Sequence, residues 1–257
     1  MQLDDVRMIV TGAAHGIGRG TVAACLREGA RVVALDVALP DAEHPVHAIR
    51  NAAASARFAR CDVTVKDEVD RVFDEAVRTL GGLDVLVHAA GILRLGAAAD
   101  LTPEACEEVL RVNVMGTILT NQAAFRHMKE RGGRIVNFGS GGGVRGQIGS
   151  AHYAASKGAV HSWTRTAAQE WGRHKISVNA VAPAAWTKMY DDYLAAMPEG
   201  VREIFLAETS KRMPLADRLG DPEKDIAPVV VFLASDAAHF MTGQIVPVDG
   251  GMVMLGS

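Results

Sequence analysis

Cysteine is scarce in this chain. Three occur in 257 residues, Cys25, Cys61 and Cys106, far apart and odd in number. That excludes a disulfide framework and gives no metal-type spacing, so no metal site is expected. The thiols read as small core hydrophobes in a reducing compartment. A surplus of either charge is missing too: 27 basic against 30 acidic side chains leave a formal net charge of −3. A binder held by nucleic-acid phosphates would show a basic excess. A disordered chain would be poorer in apolar residues than the 49% found here. Long apolar runs are absent. The longest, residues 229–234, falls far short of the roughly 20 residues of a membrane span. The N-terminus has no basic segment followed by an apolar one, so no signal peptide is visible. A cytoplasmic protein is expected, with neither nucleic acid nor membrane as partner.

Glycine, by contrast, is plentiful and clustered: Gly12, Gly16, Gly18 and Gly20; Gly139 and Gly141 to Gly143; Gly250 and Gly251. In a chain of ordinary apolar content this marks close backbone approach at defined loops. Short β-branched runs alternate with helical stretches. Strands are predicted over 7–11, 31–36, 58–63, 83–89, 134–138, 176–182 and 244–248. Helices are predicted over 18–28 and 65–80, from the Thr102 cap and Pro103 onward, over 106–130 with a break near Gly116, and over 152–173. Nearly continuous apolar strands alternating with helices imply a parallel sheet covered on both faces. One domain over residues 1–257 is the simplest count. Pro228 conflicts with a helix through 223–235, so a kink there or a helix starting near Asp225 is predicted.

The first glycine cluster, Thr11-Gly12-Ala13-Ala14-His15-Gly16-Ile17-Gly18, follows a strand and opens a helix. Glycines let the backbone approach a pyrophosphate, and the helix N-terminus supplies free N–H groups. His15 could stand near a phosphate, or be a neutral loop residue. Asp36 ends the second strand, 18 residues after Gly18. A carboxylate there accepts from ribose hydroxyls and repels a 2′-phosphate, which favours NAD over NADP.

These residues, continued along the chain, resemble the short-chain dehydrogenase/reductase family. The resemblance runs through Asp62-Val63, His88-Ala89-Ala90-Gly91, Asn113, Ser140, Tyr153-Ala154-Ala155-Ser156-Lys157, Asn179 to Pro183, and Val248-Asp249-Gly250-Gly251. It implies a Rossmann-like doubly wound α/β sheet of about seven mostly parallel strands, hydride transfer, and a homotetramer. It also implies that Asp62 meets the adenine amino group and that Ala89 to Gly91 line the adenosine. Asn113 would hold a water linking Lys157 to solvent. The family's Asn-Asn-Ala-Gly is altered at His88, which is expected to pack beside the sheet and not to catalyse. Its Pro-Gly is Pro183-Ala184 here. Its threonine is displaced to Thr187, which leaves open how Trp186 and Thr187 meet the cofactor.

Carbonyl reduction needs a hydride on carbon and a proton for oxygen. Tyr153 and Lys157 lie four apart at the start of a helix, on one face. An ammonium beside a phenol lowers its pKa, which suits Tyr153 as general acid/base. Ser140 can orient the substrate oxygen. The Gly141 to Gly143 run reads as a flexible connection or as an opening for substrate. Residues 184–215, with Trp186, Met189, Tyr190, Tyr193, Met197 and Phe205, read as a substrate lid or as core and interface packing. The expected activity is NAD-dependent interconversion of a small-molecule alcohol and ketone. Two alternatives stand. One is an NADPH-dependent 3-oxoacyl-thioester reductase, with Arg126, Lys129, Arg131 and Arg134 as a docking face. The other is a catalytically idle NAD-binding sensor or scaffold.

Overall fold

The computed structural model describes residues 1–47, 56–215 and 218–254. Seven strands form one parallel sheet: β1 (Arg7–Thr11), β2 (Arg31–Asp36), β3 (Ala56–Arg60), β4 (Val85–His88), β5 (Gly133–Phe138), β6 (Ile176–Pro183) and β7 (Ile245–Val248). Their spatial order is β3-β2-β1-β4-β5-β6-β7. The order reverses between β1 and β4, and the crevice outside the strand ends at such a reversal is where ligands bind in open α/β sheets. The expected strands all appear, with boundaries shifted by up to three residues.

Alternation along each strand divides the core. Met8 and Val10 of β1 face one layer, built with Val32, Val85, Val136 and Val181. Helices α1 (Gly16–Arg27) and α9 (Ala227–Ala234) cover it through Val22, Cys25, Leu26, Val230 and Leu233. Ile9 faces the other layer with Val33, Leu86, Ile135 and Val178. There α2 (Lys66–Leu80), α4 (Gly116–Met128) and α6 (Ala151–Trp171) pack down Phe73, Leu80, Met128 and Trp171. Each such side chain, fully buried, contributes about 1.5–3 kcal/mol. At the far end of the sheet from the crevice, the Arg7 guanidinium forks onto the Asp84 carboxylate at 2.6 and 2.8 Å and fixes the start of β1 against β4.

Two helical stretches contain π turns. The first is α3 (Pro103–Leu110), started by the Thr102 hydroxyl accepting the Ala105 N–H at 3.3 Å with Pro103 at the first position. It passes through a π turn, Arg111–Met115, into α4, so the break predicted near Gly116 is a register change with no interruption of the helix. The second π turn, Pro222–Ile226, is capped by Asp221 and leads into α9. This places Pro228 in the first turn of the α-helix, where its missing N–H costs little. The helical stretch itself begins earlier than predicted, at Pro222. Residues Gly141 to Gly143 are no flexible connection: they belong largely to a short helix, α5 (Gly142–Arg145). Its close seat on α6 requires glycine, since a Cβ on Gly143 would lie 2.7 Å from the Gly158 nitrogen. Cys25 and Cys61 are buried as expected, whereas Cys106 is only half-buried. No helix among the described residues is long and apolar enough to cross a membrane. No cluster of three or more His, Cys, Asp or Glu is placed to hold a metal there.

Candidate active site

A cleft of about 940 Å³ opens at the C-terminal ends of β1, β2, β3 and β4. Its floor is backbone. Gly12 and Gly16 have φ of +64° and +54°, conformations that L side chains rarely adopt. A Cβ on Gly12 would lie 2.5 Å from the Ala90 nitrogen, and one on Gly18 would lie 2.0 Å from the Gly12 oxygen. The loop therefore closes on itself and against the end of β4 with no room for a side chain at Gly12 or Gly18. Helix α1 begins here with no side-chain cap from His15 and no acidic residue in its first turn. Its free N–H groups and partial positive charge are open to an anion. Such a cradle fits the pyrophosphate of a dinucleotide. Asp36 lines the same cleft, with its carboxylate accepting the Ala14 N–H at 2.9 Å and the Ala38 N–H at 3.0 Å.

Of the predicted cofactor residues, the cleft gathers Gly12, His15, Gly16, Ile17, Gly18, Asp36, Asp62, Val63, Ala89, Ala90, Gly91 and Thr187. Tyr153, Lys157, Pro183, Ala184 and Trp186 are not among its lining residues. Ala184 is tied to Val248 and Gly220 by backbone bonds, and Trp186 stands 46% exposed with its indole N–H on Asp191. The cleft also takes in Arg94, one of the basic residues that could meet an anionic substrate, and residues that the sequence left unmarked, among them Leu93, Leu95, Arg111 and Val112. They lie on the β4–α3 connection and on the π turn, which carry no motif. The one signal for them is position, directly after Gly91.

Tyr153, Lys157 and Ser140 meet behind Gly91. The Lys157 ammonium donates to the Phe138 carbonyl at 2.8 Å and lies 5.9 Å from the centre of the Tyr153 ring. A Cβ on Gly91 would stand 3.4 Å from that nitrogen, so Gly91 joins this cluster to the cleft. Burial pushes the Lys157 pKa down to about 8. Burial also raises the Tyr153 phenol above its ordinary value, and a hydrogen bond with Ser140 pulls partly against it. The expectation of a lowered phenol is thus not met by the protein alone, because desolvation disfavours the phenolate. The Ser140 hydroxyl also accepts the Gly142 N–H at 3.0 Å.

Asn113 is held by the first π turn and is fully buried. Its amide bonds both backbone groups of Ile92, at 2.8 and 2.9 Å, and the Ser156 hydroxyl at 2.9 Å. It therefore pins the segment after Gly91 to α6. His88 packs under the sheet end as expected, its Nδ1 between the Thr11 and Thr120 hydroxyls at 2.8 and 2.9 Å. Burial, with Lys157 nearby, pushes its pKa down to about 3.

Residues 184–215 fold as two helices, α7 (Lys188–Ala195) and α8 (Glu199–Lys211). Thr187 caps α7 through its hydroxyl. Tyr190 stacks on Tyr193 with ring centres 6.0 Å apart, and Phe205 meets Tyr193 at 5.6 Å. Tyr193 is buried and lines the cleft with Met189. Of the four proposed docking cations, two are engaged at home: Arg126 pairs with Asp70 and Arg134 with Asp236.

Known proteins are similar to this chain in sequence and in fold. Residues 12–253 match the family described as Enoyl-(Acyl carrier protein) reductase. The chain is 40% identical to the short-chain reductase protein NovJ of Streptomyces niveus over 244 residues, 95% of this chain and 92% of that one. It is 36% identical over 255 residues to the 3-oxoacyl-(acyl-carrier-protein) reductase FabG of Thermotoga maritima, covering 99% of this chain and all of that one. It is 41% identical to cis-4-hydroxycyclohexanecarboxylate dehydrogenase of Sinomonas cyclohexanicum, with 95% and 94% covered. A crystal structure presented as a short-chain alcohol dehydrogenase from Sinorhizobium meliloti superposes with a TM-score of 0.88 at 32% identity, over 98% of this chain and 97% of that one. By sequence and by fold, the chain belongs to the short-chain dehydrogenase/reductase family, oxidoreductases that act on CH–OH and C=O groups with a nicotinamide cofactor.

Proposed function

We propose that this protein interconverts a small secondary alcohol and its ketone with NAD(H), in one catalytic domain whose substrate lid is residues 184–215. The observation that carries the reading is the meeting of Tyr153, Ser140 and Lys157 behind Gly91, a residue of the cleft whose floor fits a phosphate. When bound, the nicotinamide cofactor supplies or accepts the hydride. Tyr153 moves the proton: its phenol donates to the carbonyl oxygen in reduction and, as phenolate, accepts the hydroxyl proton in oxidation. Ser140 shares the substrate oxygen and fixes it near the phenol. Lys157 favours the phenolate by charge and would bond the nicotinamide ribose. Asn113 holds the Ile92 segment in place beside them. The cofactor-binding residues proposed are the twelve that the cleft gathers, together with Tyr153, Lys157, Pro183, Ala184 and Trp186. Asp36 supports NAD, because a carboxylate at the rim repels a 2′-phosphate.

One relative is named as a 3-oxoacyl reductase, which supports the NADPH-dependent thioester reading. Asp36 and the internal pairing of Arg126 and Arg134 speak against it. A panel of secondary alcohols and 3-oxoacyl thioesters, each assayed with NAD(H) and NADP(H) by cofactor absorbance, decides between them. Turnover of simple alcohols with NAD is expected. A clear NADP(H) preference would defeat the Asp36 argument, and no turnover of any member would favour the idle sensor. On this reading the protein is a cytoplasmic homotetramer, with the helices bearing Asn113 and Tyr153 against a neighbour; a monomer in light scattering would contradict that.

A further inference from the structure

Helix α6 carries a further buried polar side chain beyond Lys157. His161 follows Lys157 by four residues, one helical turn on, and is buried. Its Nε2 accepts the backbone N–H of Ser140 at 3.3 Å. An imidazole nitrogen accepts only when unprotonated, so this bond requires the neutral ring with its proton on Nδ1. Burial, with Arg165 and Lys157 adding to it, pushes the His161 pKa down to about 4 and keeps the ring neutral at physiological pH.

The backbone is shaped around this ring. A Cβ on Gly139 would lie 2.1 Å from Nε2, and one on Gly143 would lie 3.0 Å from Cε1. Two of the glycines flanking Ser140 thus make room for the imidazole. The neighbouring groups are held as firmly: the Phe138 carbonyl by Lys157, and the Gly139 N–H by the Val181 carbonyl at 2.8 Å. Lys157 and His161, successive turns of one helix, hold the backbone on either side of Gly139 and so the entry into the Ser140 turn.

We propose that His161 is a positioning residue for the reaction: by accepting the Ser140 N–H it fixes the turn that aims the Ser140 hydroxyl at the Tyr153 phenol and the substrate oxygen. The inference rests on the roles proposed above for Ser140 and Tyr153. Helix α6 then sets the acid/base, its lysine partner and the orienting hydroxyl together, so their mutual geometry does not depend on a free loop.

Steady-state kinetics on the full-length protein test this with Ser140→Ala, His161→Leu, His161→Gln and the double variant Ser140→Ala/His161→Leu. Thermal melting and cofactor fluorescence check that each variant is folded. Leucine fills the space without an acceptor, and glutamine offers its Oε1 as one. His161→Leu is expected to lower kcat roughly tenfold to hundredfold, as for a misplaced reacting group. Its cofactor KM should stay within about twofold, because the cradle is untouched. His161→Gln should recover most of the loss. In the Ser140→Ala background His161→Leu should cost no more than about twofold, since its effect passes through Ser140. A wild-type kcat in His161→Leu, an equal loss in the Ser140→Ala background, or a folded glutamine variant as impaired as the leucine one would each overturn the proposal. If Ser140→Ala is itself unimpaired, the proposed roles fail and the inference with them. If it is impaired while His161→Leu is not, the inference alone fails. Should the leucine variant not fold, His161→Phe, close in shape and without an acceptor, is judged by the same outcomes.

Discussion

The two sides of the site are made in opposite ways. The phosphate cradle is built from what is missing: Gly12, Gly16 and Gly18 place bare backbone where any Cβ would meet backbone atoms or demand a strained φ. The α6 side is built from what is present: Tyr153, Lys157 and His161, the last two buried, are side chains whose titration is displaced by their surroundings. The first should fail when an atom is added, the second when one is removed, and the failures should separate into binding and turnover.

The sharpest test removes one oxygen. Tyr153→Phe should lower turnover by about 10²–10⁴-fold, the usual contribution of a positioned acid/base, and leave cofactor binding nearly intact. Appreciable activity would break the assignment. Adding one carbon should do the reverse. Gly18→Ala should weaken cofactor binding by roughly tenfold to hundredfold and destabilise the fold by about 1–3 kcal/mol through overpacking. Fluorescence titration and urea unfolding read both, and unaltered binding would show that the cradle tolerates side chains.

A smaller effect concerns His88, which lies between the two sides. Its pKa is near 3 in the folded protein against an ordinary 6.5. The unfolded chain therefore binds a proton that the folded one excludes. The associated stability is complete above pH 6.5 and is lost as pH falls towards 3. His88→Asn should flatten the fall in unfolding free energy between pH 6 and 4 by about 1.4 kcal/mol per pH unit, one proton's share. An unchanged slope in urea titrations would mean that His88 is not held neutral. The least effect is expected at the exposed Trp186, which contacts Tyr190 edge-on. Trp186→Ala should raise substrate KM by no more than about fivefold, within the range of exposed positions. A loss of kcat would move Trp186 into the reacting centre.

The cradle was legible in the sequence because its cause is local: a strand, glycines and a helix follow one another within eight residues. The sheet was legible for the same reason, since strands covered on both faces leave continuous apolar runs. Tyr153 and Lys157 could be paired by helical spacing alone. What escaped depends on packing across the fold. Gly139 and Gly143 are glycines because a helix some twenty residues on lies against them. The rise in the Tyr153 pKa comes from burial, which spacing does not report. His161 resembles any histidine on a small-residue helix until its partner, a backbone N–H, comes into view. Arg111 and Val112 line the cleft only because the fold lays the π turn against it.

The π turn at Arg111–Met115 gives helix length a meaning here that loop length lacks. Its Gly116 N–H reaches back five residues to the Arg111 carbonyl, so this stretch holds one residue more than an α-helix of equal rise. Deleting any one of residues 111–115 would let the rod close into regular α-helix without shortening a connection. The turns on either side would stay nearly in register, because the extra residue is taken up within the π turn itself. Asn113 would swing away from Ile92, and the glycine between cleft and lysine would lose its anchor. Along this rod, a frame-preserving loss of one codon acts locally, and a sequence that appears merely shortened would carry a displaced Asn113.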